Sequence, residues 1–177
     1  MNVQAQRGVG LMEVMVAALI LAVAVLGFIA LQYRSLEAAN EAYYRTQAMS
    51  VARDLAERIR ANQFAQEKYV SELAYAEGAS AEPPAEGGQT QMTVNDCLNQ
   101  ACNQTQFAIA DANEIKAKAQ AAGMQVAMEK CSGVDRYCIY IAWEETQPKE
   151  GTAADKSCTN GGTYIDGSRC IVMEAYQ

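Results

Sequence analysis

The sequence contains no histidine among its 177 residues. Histidine is the commonest general base in enzymes and the commonest metal ligand in proteins. Its absence excludes a Cys-His nucleophile and a Ser-His-Asp triad, and it limits any zinc site to cysteine and carboxylate ligands. No other grouping of acid, base and nucleophile stands out. We therefore expect a protein that is not an enzyme and that has no catalytic residues, no metal site and no cofactor.

Positive charge is also scarce. The chain has 14 lysine and arginine residues against 21 aspartate and glutamate residues, which gives a net charge of −7. No basic residue lies between Lys68 and Lys116. Nucleic-acid binding requires clustered lysine and arginine side chains that neutralise phosphates. We therefore expect no nucleic-acid partner.

Helix-breaking residues are missing from residues 32–62, which contain neither proline nor glycine. Apolar residues recur there at steps of three and four, which is typical of an amphipathic helix, at Tyr44, Ala48, Val51, Leu55 and Ile59. Asp54 and Arg58 have the i,i+4 spacing of an ion pair. The pattern predicts one helix from about Val9 to about Ala61, on the order of 80 Å long at 1.5 Å per residue.

The first half of this predicted helix contains a long apolar run. Val14 to Leu31 carries no charged side chain, and a bilayer core takes roughly 20 apolar residues as helix. The run could be a simple membrane anchor or a secretory signal peptide. A signal peptide needs a basic start and a small-residue cleavage site after the run. Arg7 and the amino terminus alone supply positive charge, and no such cleavage site follows Leu31.

The residues before the run favour a third interpretation. Arg7 and Gly8 are followed by Val9-Gly10-Leu11-Met12-Glu13 and then by the apolar run. This arrangement resembles the type III signal of type IV pilins and pseudopilins, in which a short basic leader ends in glycine and the fifth mature residue is glutamate. The resemblance implies that a prepilin peptidase cuts between Gly8 and Val9 and that Val9 becomes N-methylated. It also implies that Glu13 neutralises the terminal amine of a neighbouring subunit.

Two residues depart from the usual pattern of the family. Val9 stands where phenylalanine is usual, and Gly10 where serine or threonine is usual. These departures leave processing in place but predict that it is slower.

The end of the predicted helix carries a second resemblance. Residues 52–62 read A-R-D-L-A-E-R-I-R-A-N and resemble the helix end of minor pilins of the PilV type, the type IV pilus modification proteins. The missing proline partway along the helix suits a minor pilin better than a major one. The resemblance implies a single-pass inner-membrane protein with a periplasmic head. It would join other minor pilins and the major pilin in priming assembly, and would then lie in the fibre near its tip, supporting pilus biogenesis and twitching motility.

All six cysteines follow the apolar run. Their spacings are not those of a zinc ribbon, and no Cys-x-x-Cys redox pair occurs. An even number in an exported domain predicts disulfides and an oxidising compartment, which for a pilin is the periplasm. Sequence alone leaves the connectivity open, but proximity favours the local pairs Cys97–Cys102, Cys131–Cys138 and Cys158–Cys170.

Weaker patterns outline the rest of the chain. Phe64 to Ala76 is weakly helical, and the proline- and glycine-rich residues 77–91 predict a loop. Asp111 and Glu114 have the spacing of a capping box, which predicts a short helix over Ala112–Ala122 that ends at Gly123.

After Gly123, apolar and polar residues alternate, and this alternation predicts strands. They cover Met124–Glu129 and Cys138–Trp143, joined by a turn, with Ile139, Ile141 and Trp143 on one face. Residues 148–160 read as a loop. Thr163–Ile165 and Cys170–Tyr176 then read as a final hairpin.

Together these features predict an α+β, pilin-like fold in which a long N-terminal helix packs on a small antiparallel β-sheet head with disulfides. Four segments follow: a leader at 1–8, a transmembrane and assembly half-helix at 9–31, an amphipathic half-helix at 32–62, and a periplasmic globular head at 63–177. Two other functions remain open. One is a minor pseudopilin of a type II secretion system. The other is a membrane-anchored periplasmic binding module, in which Glu13 would tolerate replacement.

Overall fold

A computed structural model describes residues 10–76 and 93–175. The predicted leader, the predicted helix start at Val9 and the predicted loop at 77–91 lie outside these ranges. The chain divides into two compact units, Met1–Tyr43 and Tyr44–Gln177.

The first unit consists of helix, as far as it is described. Helix α1 begins at Leu11 and ends at Ala61, and it continues into the second unit. Its 51 residues correspond to a length of roughly 75 Å. Within the described residues, this confirms the prediction of one long helix. No proline interrupts its backbone hydrogen bonds, and the space around the Cα of Gly27 is open.

As far as it is described, the second unit contains the rest of α1 and the other helices and strands. Three further helices follow a short 3-10 turn at Gln63–Ala65, and they are α2 (Gln66–Glu72), α3 (Val94–Asn99) and α4 (Gln104–Ala121). Six strands follow the helices, and they are β1 (Met124–Lys130), β2 (Tyr137–Trp143), β3 (Gln147–Glu150), β4 (Ser157–Asn160), β5 (Thr163–Tyr164) and β6 (Cys170–Ala175).

The strands form two three-stranded sheets. The first has the order β1-β2-β6 and is antiparallel throughout, with Met128 opposite Ile139 and Ile139 opposite Met173. This sheet confirms the predicted hairpin of β1 and β2. The second has the order β3-β4-β5, in which β3 and β4 are parallel and β4 and β5 are antiparallel.

The main core lies between the first sheet and the helices of the second unit. The predicted stripe of α1 contributes Val51, Leu55 and Ile59, which are buried against Ile139 and Ile141 in the same cluster. Tyr44 stacks on Trp143 with 6.0 Å between the ring centroids. The amphipathic part of α1 therefore packs on the antiparallel sheet, as predicted. The sheet's other face carries a smaller cluster with Cys158, Tyr140 and Cys170.

The prediction for the helix before β1 was wrong at its start. Helix α4 begins at Gln104, and Asn103 rather than Asp111 caps it. The Asn103 side chain accepts the N–H of Gln106, and the Gln106 side chain accepts the N–H of Asn103, each at 2.9 Å. The end of the helix was predicted correctly, because Gly123 adopts a φ of 71° there, which favours glycine.

After β2, the predicted strands at Thr163–Ile165 and Cys170–Tyr176 are present as β5 and as β6 up to residue 175, but the predicted loop and hairpin were wrong. Residues 148–160 do not form a continuous loop, because β3 and β4 lie within and beside this range. The predicted final hairpin does not form either, since β5 pairs with β4 while β6 pairs with β2. The turn at Gly161 and Gly162, with φ of 58° and 77°, closes the β4–β5 hairpin instead.

The six cysteines form three disulfides, and their pairs are Cys97–Cys102, Cys131–Cys138 and Cys158–Cys170. These are the pairs that proximity favours. The third pair joins β4 of the second sheet to β6 of the first. It therefore holds the two sheets together rather than bracketing a hairpin.

Candidate assembly surface

Glu13 is the one charged residue of α1 before Arg34. Glu13 lies in the first turn of the helix, where its N–H donates to the carbonyl of Gly10 at 2.9 Å. A carboxylate at this position interacts favourably with the unpaired N–H groups of the helix start. The helix therefore begins with a negative side chain directly before its apolar run.

The apolar run itself is exposed on all sides of the helix. Val14 is 57% exposed and Leu31 is 72% exposed, and an 18-residue window of α1 has a mean hydropathy of 3.0 with no part of it buried. By length and composition this helix could cross a membrane. A helix that is apolar on every side requires lipid or other apolar helices around it. The run is thus a surface that needs covering.

A cluster of ionic side chains joins α1 to α2 and α4 within the second unit. Arg58 lies at its centre and contacts three carboxylates, with 2.9 Å to Asp54, 2.6 Å to Asp111 and 3.0 Å to Glu114. The Tyr69 hydroxyl donates to the second oxygen of Asp111 at 2.6 Å. We call these residues, together with Lys118, which contacts Asp54 at 2.5 Å, the Arg58 cluster.

The pKa values in this cluster show that its charges stabilise one another. Burial alone would lower the pKa of Arg58, but the hydrogen bonds to Glu114, Asp54 and Asp111 raise it above its ordinary value. Burial would raise the pKa of Asp54, but Lys118 and Arg58 lower it. Burial and the hydrogen bond to Asp111 raise the pKa of Tyr69. Arg58 and Asp54 are therefore charged at neutral pH while the Tyr69 hydroxyl keeps its proton, and the contacts of Arg58 with Asp111 and Glu114 hold α4 against α1.

The sequence predicts one contact of this cluster and gives no sign of the others. The i,i+4 pair of Asp54 and Arg58 was predicted and is present. Asp111 and Glu114 were assigned to a helix cap, and this assignment was wrong because both lie inside α4. With α4 starting at Gln104, their spacing would have indicated a charged face that requires a basic partner on another element.

The other predicted functional residues have separate locations. Gly8 and Val9, the expected cleavage and N-methylation positions, lie outside the described residues. The cysteines stabilise the head and lie after α1, so they take no part in the apolar surface. Glu13 is the one predicted assembly residue that the structure describes, and it lies at the start of that surface.

Comparison with known proteins finds similarity to a pilin family over part of the chain. A family model described as Tt1218-like, type IV pilin Tt1218, matches residues 30–113. The matched range runs from the end of the apolar run through the amphipathic part of α1 and into α4. Neither the curated proteins nor the solved structures include a significant match to the chain. The family match, together with the apolar start of α1, supports a type IV pilin.

Proposed function

We propose that this protein is a minor pilin that takes part in initiating assembly of a type IV pilus. Its partners are other minor pilins and the major pilin. It is held in the inner membrane by residues 9–31 with its head in the periplasm, and it then enters the fibre near the tip. In this role it supports pilus biogenesis and twitching motility. The type IV pilin family is structural, and we expect no enzymatic activity.

One observation supports this proposal most strongly. The apolar part of α1 is exposed on every side and begins with a single carboxylate at Glu13. Lipid can cover the apolar side chains while the chain waits in the membrane, and the helices of neighbouring pilins can replace lipid after assembly. Apolar packing is non-directional and does not set how far one helix slides along another. A charge pair does, since one axial offset alone brings two opposite charges together.

The proposal assigns the partner of Glu13 to the terminal amine of a neighbouring subunit. Cleavage between Gly8 and Val9 by a prepilin peptidase creates that amine, and methylation of Val9 keeps its positive charge. Each incoming subunit would then be positioned by its own charge on the apolar surface of the one before. The resemblance to PilV-type minor pilins supports the assignment to priming rather than to the bulk of the fibre.

The nearest alternative is a minor pseudopilin of a type II secretion system. Pseudopilins share the same kind of N-terminal signal, followed by an apolar helix. The three disulfides of the head favour the pilus, because the similar pseudopilins are usually smaller and poor in cysteine. A membrane-anchored periplasmic binding module is the second alternative, and it differs from both by not polymerising.

Shearing of surface fibres tests the proposed function. Cells that produce the chain with a C-terminal tag are sheared, and the fibre fraction is probed for the tag and for an inner-membrane marker protein. We expect the chain in the fibre fraction in small amounts relative to the major pilin, with the marker absent. Confinement of the chain to the membrane fraction would favour the binding module. Normal piliation in a deletion strain that loses protein secretion would favour the pseudopilin.

A further inference from the structure

The two edge strands of the first sheet are covered to different extents in the described ranges. On β1, the N–H of Met128 donates to the carbonyl of Leu73 at 2.9 Å, so the chain directly after α2 covers part of this edge. On the other side the sheet ends with β6, which pairs with β2 alone among the described strands. The outer side of β6 is therefore an edge at which a further strand can pair.

Two hydrogen bonds show which backbone groups of β6 point away from β2. The N–H of Trp143 donates to the carbonyl of Arg169 at 3.0 Å, and hydrogen-bonded positions alternate along an antiparallel pair. Every second residue after Arg169 therefore bonds to β2, and the residues between them, Val172 and Glu174 included, point their backbone groups outwards. In agreement with this, the N–H of Val172 donates to the hydroxyl of Tyr164 in β5 at 3.0 Å.

The Tyr164 hydroxyl uses the donor that the carbonyl of an added strand would use. The other outward groups of these two residues, which are the carbonyl of Val172 and both backbone groups of Glu174, make no hydrogen bond within residues 10–76 and 93–175. Tyr164 is 54% exposed and belongs to a two-residue strand that is exposed throughout. Its side chain can therefore leave the edge without uncovering a core.

The side chains beside this edge are apolar and incompletely covered. Val172 is partly buried against the smaller cluster, and Met173 is partly buried against the main core. As neighbours in a strand they lie on opposite faces of the sheet, so an added strand can cover each of them with one of its own faces. In strand addition of this kind, backbone hydrogen bonds give affinity and the alternating side chains give specificity.

We propose that the outer edge of β6 binds an extended segment of a neighbouring pilin, which displaces the Tyr164 hydroxyl from the N–H of Val172. The segment contains no proline, because each ladder position needs an N–H, and it places apolar side chains beside Val172 and Met173. This inference rests on the proposed function, which supplies the neighbouring pilins.

The size of the edge favours a partner that is already held close by. The six residues of β6 extend over about 20 Å, which gives a small interface beside the roughly 1,200–2,000 Å² that stable complexes bury. Pilins anchored side by side in one membrane have a high effective concentration, and this compensates for weak pairwise contacts. A free protein in the periplasm lacks that advantage.

Glu174→Pro and Glu174→Ala form a matched pair that tests the edge. Both variants lose the ion pair between Glu174 and Arg136, but proline alone removes the outward N–H. Since β2 does not use that N–H, and since proline is tolerated at such edge positions, both variants should fold with similar melting temperatures. Tyr164→Phe is the third variant, and it removes the hydroxyl that competes with the added strand.

Co-purification from detergent-solubilised membranes measures the binding. The tagged full-length chain is recovered, and the major pilin and the other minor pilins of the same cells are quantified in the eluate. We expect Glu174→Ala to recover these pilins as wild type does and Glu174→Pro to recover about 2–10-fold less, as for the loss of one hydrogen bond. Tyr164→Phe should recover more than wild type.

Photo-cross-linking locates the contact. Tyr164 is replaced by p-benzoylphenylalanine in the tagged chain, membranes are irradiated, and the cross-linked peptide is sequenced by mass spectrometry. We expect a cross-link to a proline-free segment in the head of another pilin. The same replacement at Phe64, an aromatic residue that is 82% exposed and lies outside the sheets, should not cross-link to that segment.

The results that would overturn the inference differ from those that would overturn the proposed function. Equal recovery of pilins by Glu174→Pro and Glu174→Ala, or unchanged recovery by Tyr164→Phe, would exclude strand addition at β6 while leaving the pilin function in place. A cross-link from position 164 to a second copy of this chain would exclude the proposed partner. A wild-type chain that recovers no pilin would overturn the proposed function and this inference with it.

Discussion

Glu13→Gln is expected to abolish recovery of the chain with its pilin partners while leaving its insertion in the membrane intact. Insertion should survive because the change removes a charge from the edge of an apolar segment. Assembly should fail because glutamine cannot neutralise the terminal amine of a neighbour. Two unit charges 4 Å apart attract by about 4 kcal/mol at an effective dielectric of 20, and desolvation offsets part of this. A net loss of a few kcal/mol reduces association by about a hundredfold or more.

The experiment is co-purification of partner pilins from membranes, combined with counting of surface pili. Glu37→Gln is the matched control, because Glu37 is an exposed carboxylate on the same helix but lies after the apolar run. We expect the control to retain partners and pili. Normal partner recovery and normal piliation with Glu13→Gln would mean that Glu13 has no role in assembly. The membrane-anchored binding module would then be the better account.

Arg58→Leu is expected to have the largest effect on the stability of the head. The Arg58 side chain is 23% exposed and contacts three carboxylates, so its removal leaves negative charges facing one another. Loss of one partner of a fully buried ion pair costs about 3–5 kcal/mol, and partial exposure reduces this to about 2–4 kcal/mol. For a domain of this size the melting temperature should fall by on the order of 10 °C.

Thermal unfolding measured by circular dichroism checks this prediction. Arg53→Leu is the control, since Arg53 is exposed and forms no ion pair in the described part of the chain, and it should change stability by less than about 0.5 kcal/mol. The pH dependence gives a second measurement. The pKa of Asp54 is lowered below its ordinary 3.8, so its stabilisation is present above that pH and is lost as the pH falls further. Arg58→Leu should reduce this acid-dependent loss of stability.

The elements predicted correctly from sequence depend on local signals. Helix α1 was predictable because proline is absent and apolar residues recur on one face between Tyr44 and Ile59. The hairpin of β1 and β2 was predictable because its strands alternate and a short turn with Gly133 joins them. The local disulfide pairs follow from sequence proximity in the same way.

The elements that were missed depend on contacts between distant residues. Strands β3 and β4 are parallel neighbours joined by only residues 151–156, a connection far shorter than parallel strands usually need, and each is too short to show alternation. Strand β6 pairs with β2 although all three strands of the second sheet lie between them in the sequence. Asp111 reads locally as a helix cap, but it binds Arg58 and Tyr69 from α1 and α2. Nothing in the residues around Asp111 indicates those partners.

The mass of the N-terminal peptide of the wild-type chain tests the central claim most directly. The claim is that this protein is processed and polymerised as a type IV pilin. The chain is isolated from sheared fibres and from membranes, digested, and its first peptide is sequenced by mass spectrometry. The account predicts a peptide that begins at N-methylated Val9 and contains Glu13 as its fifth residue. A peptide that begins at Met1 in both fractions would contradict the account.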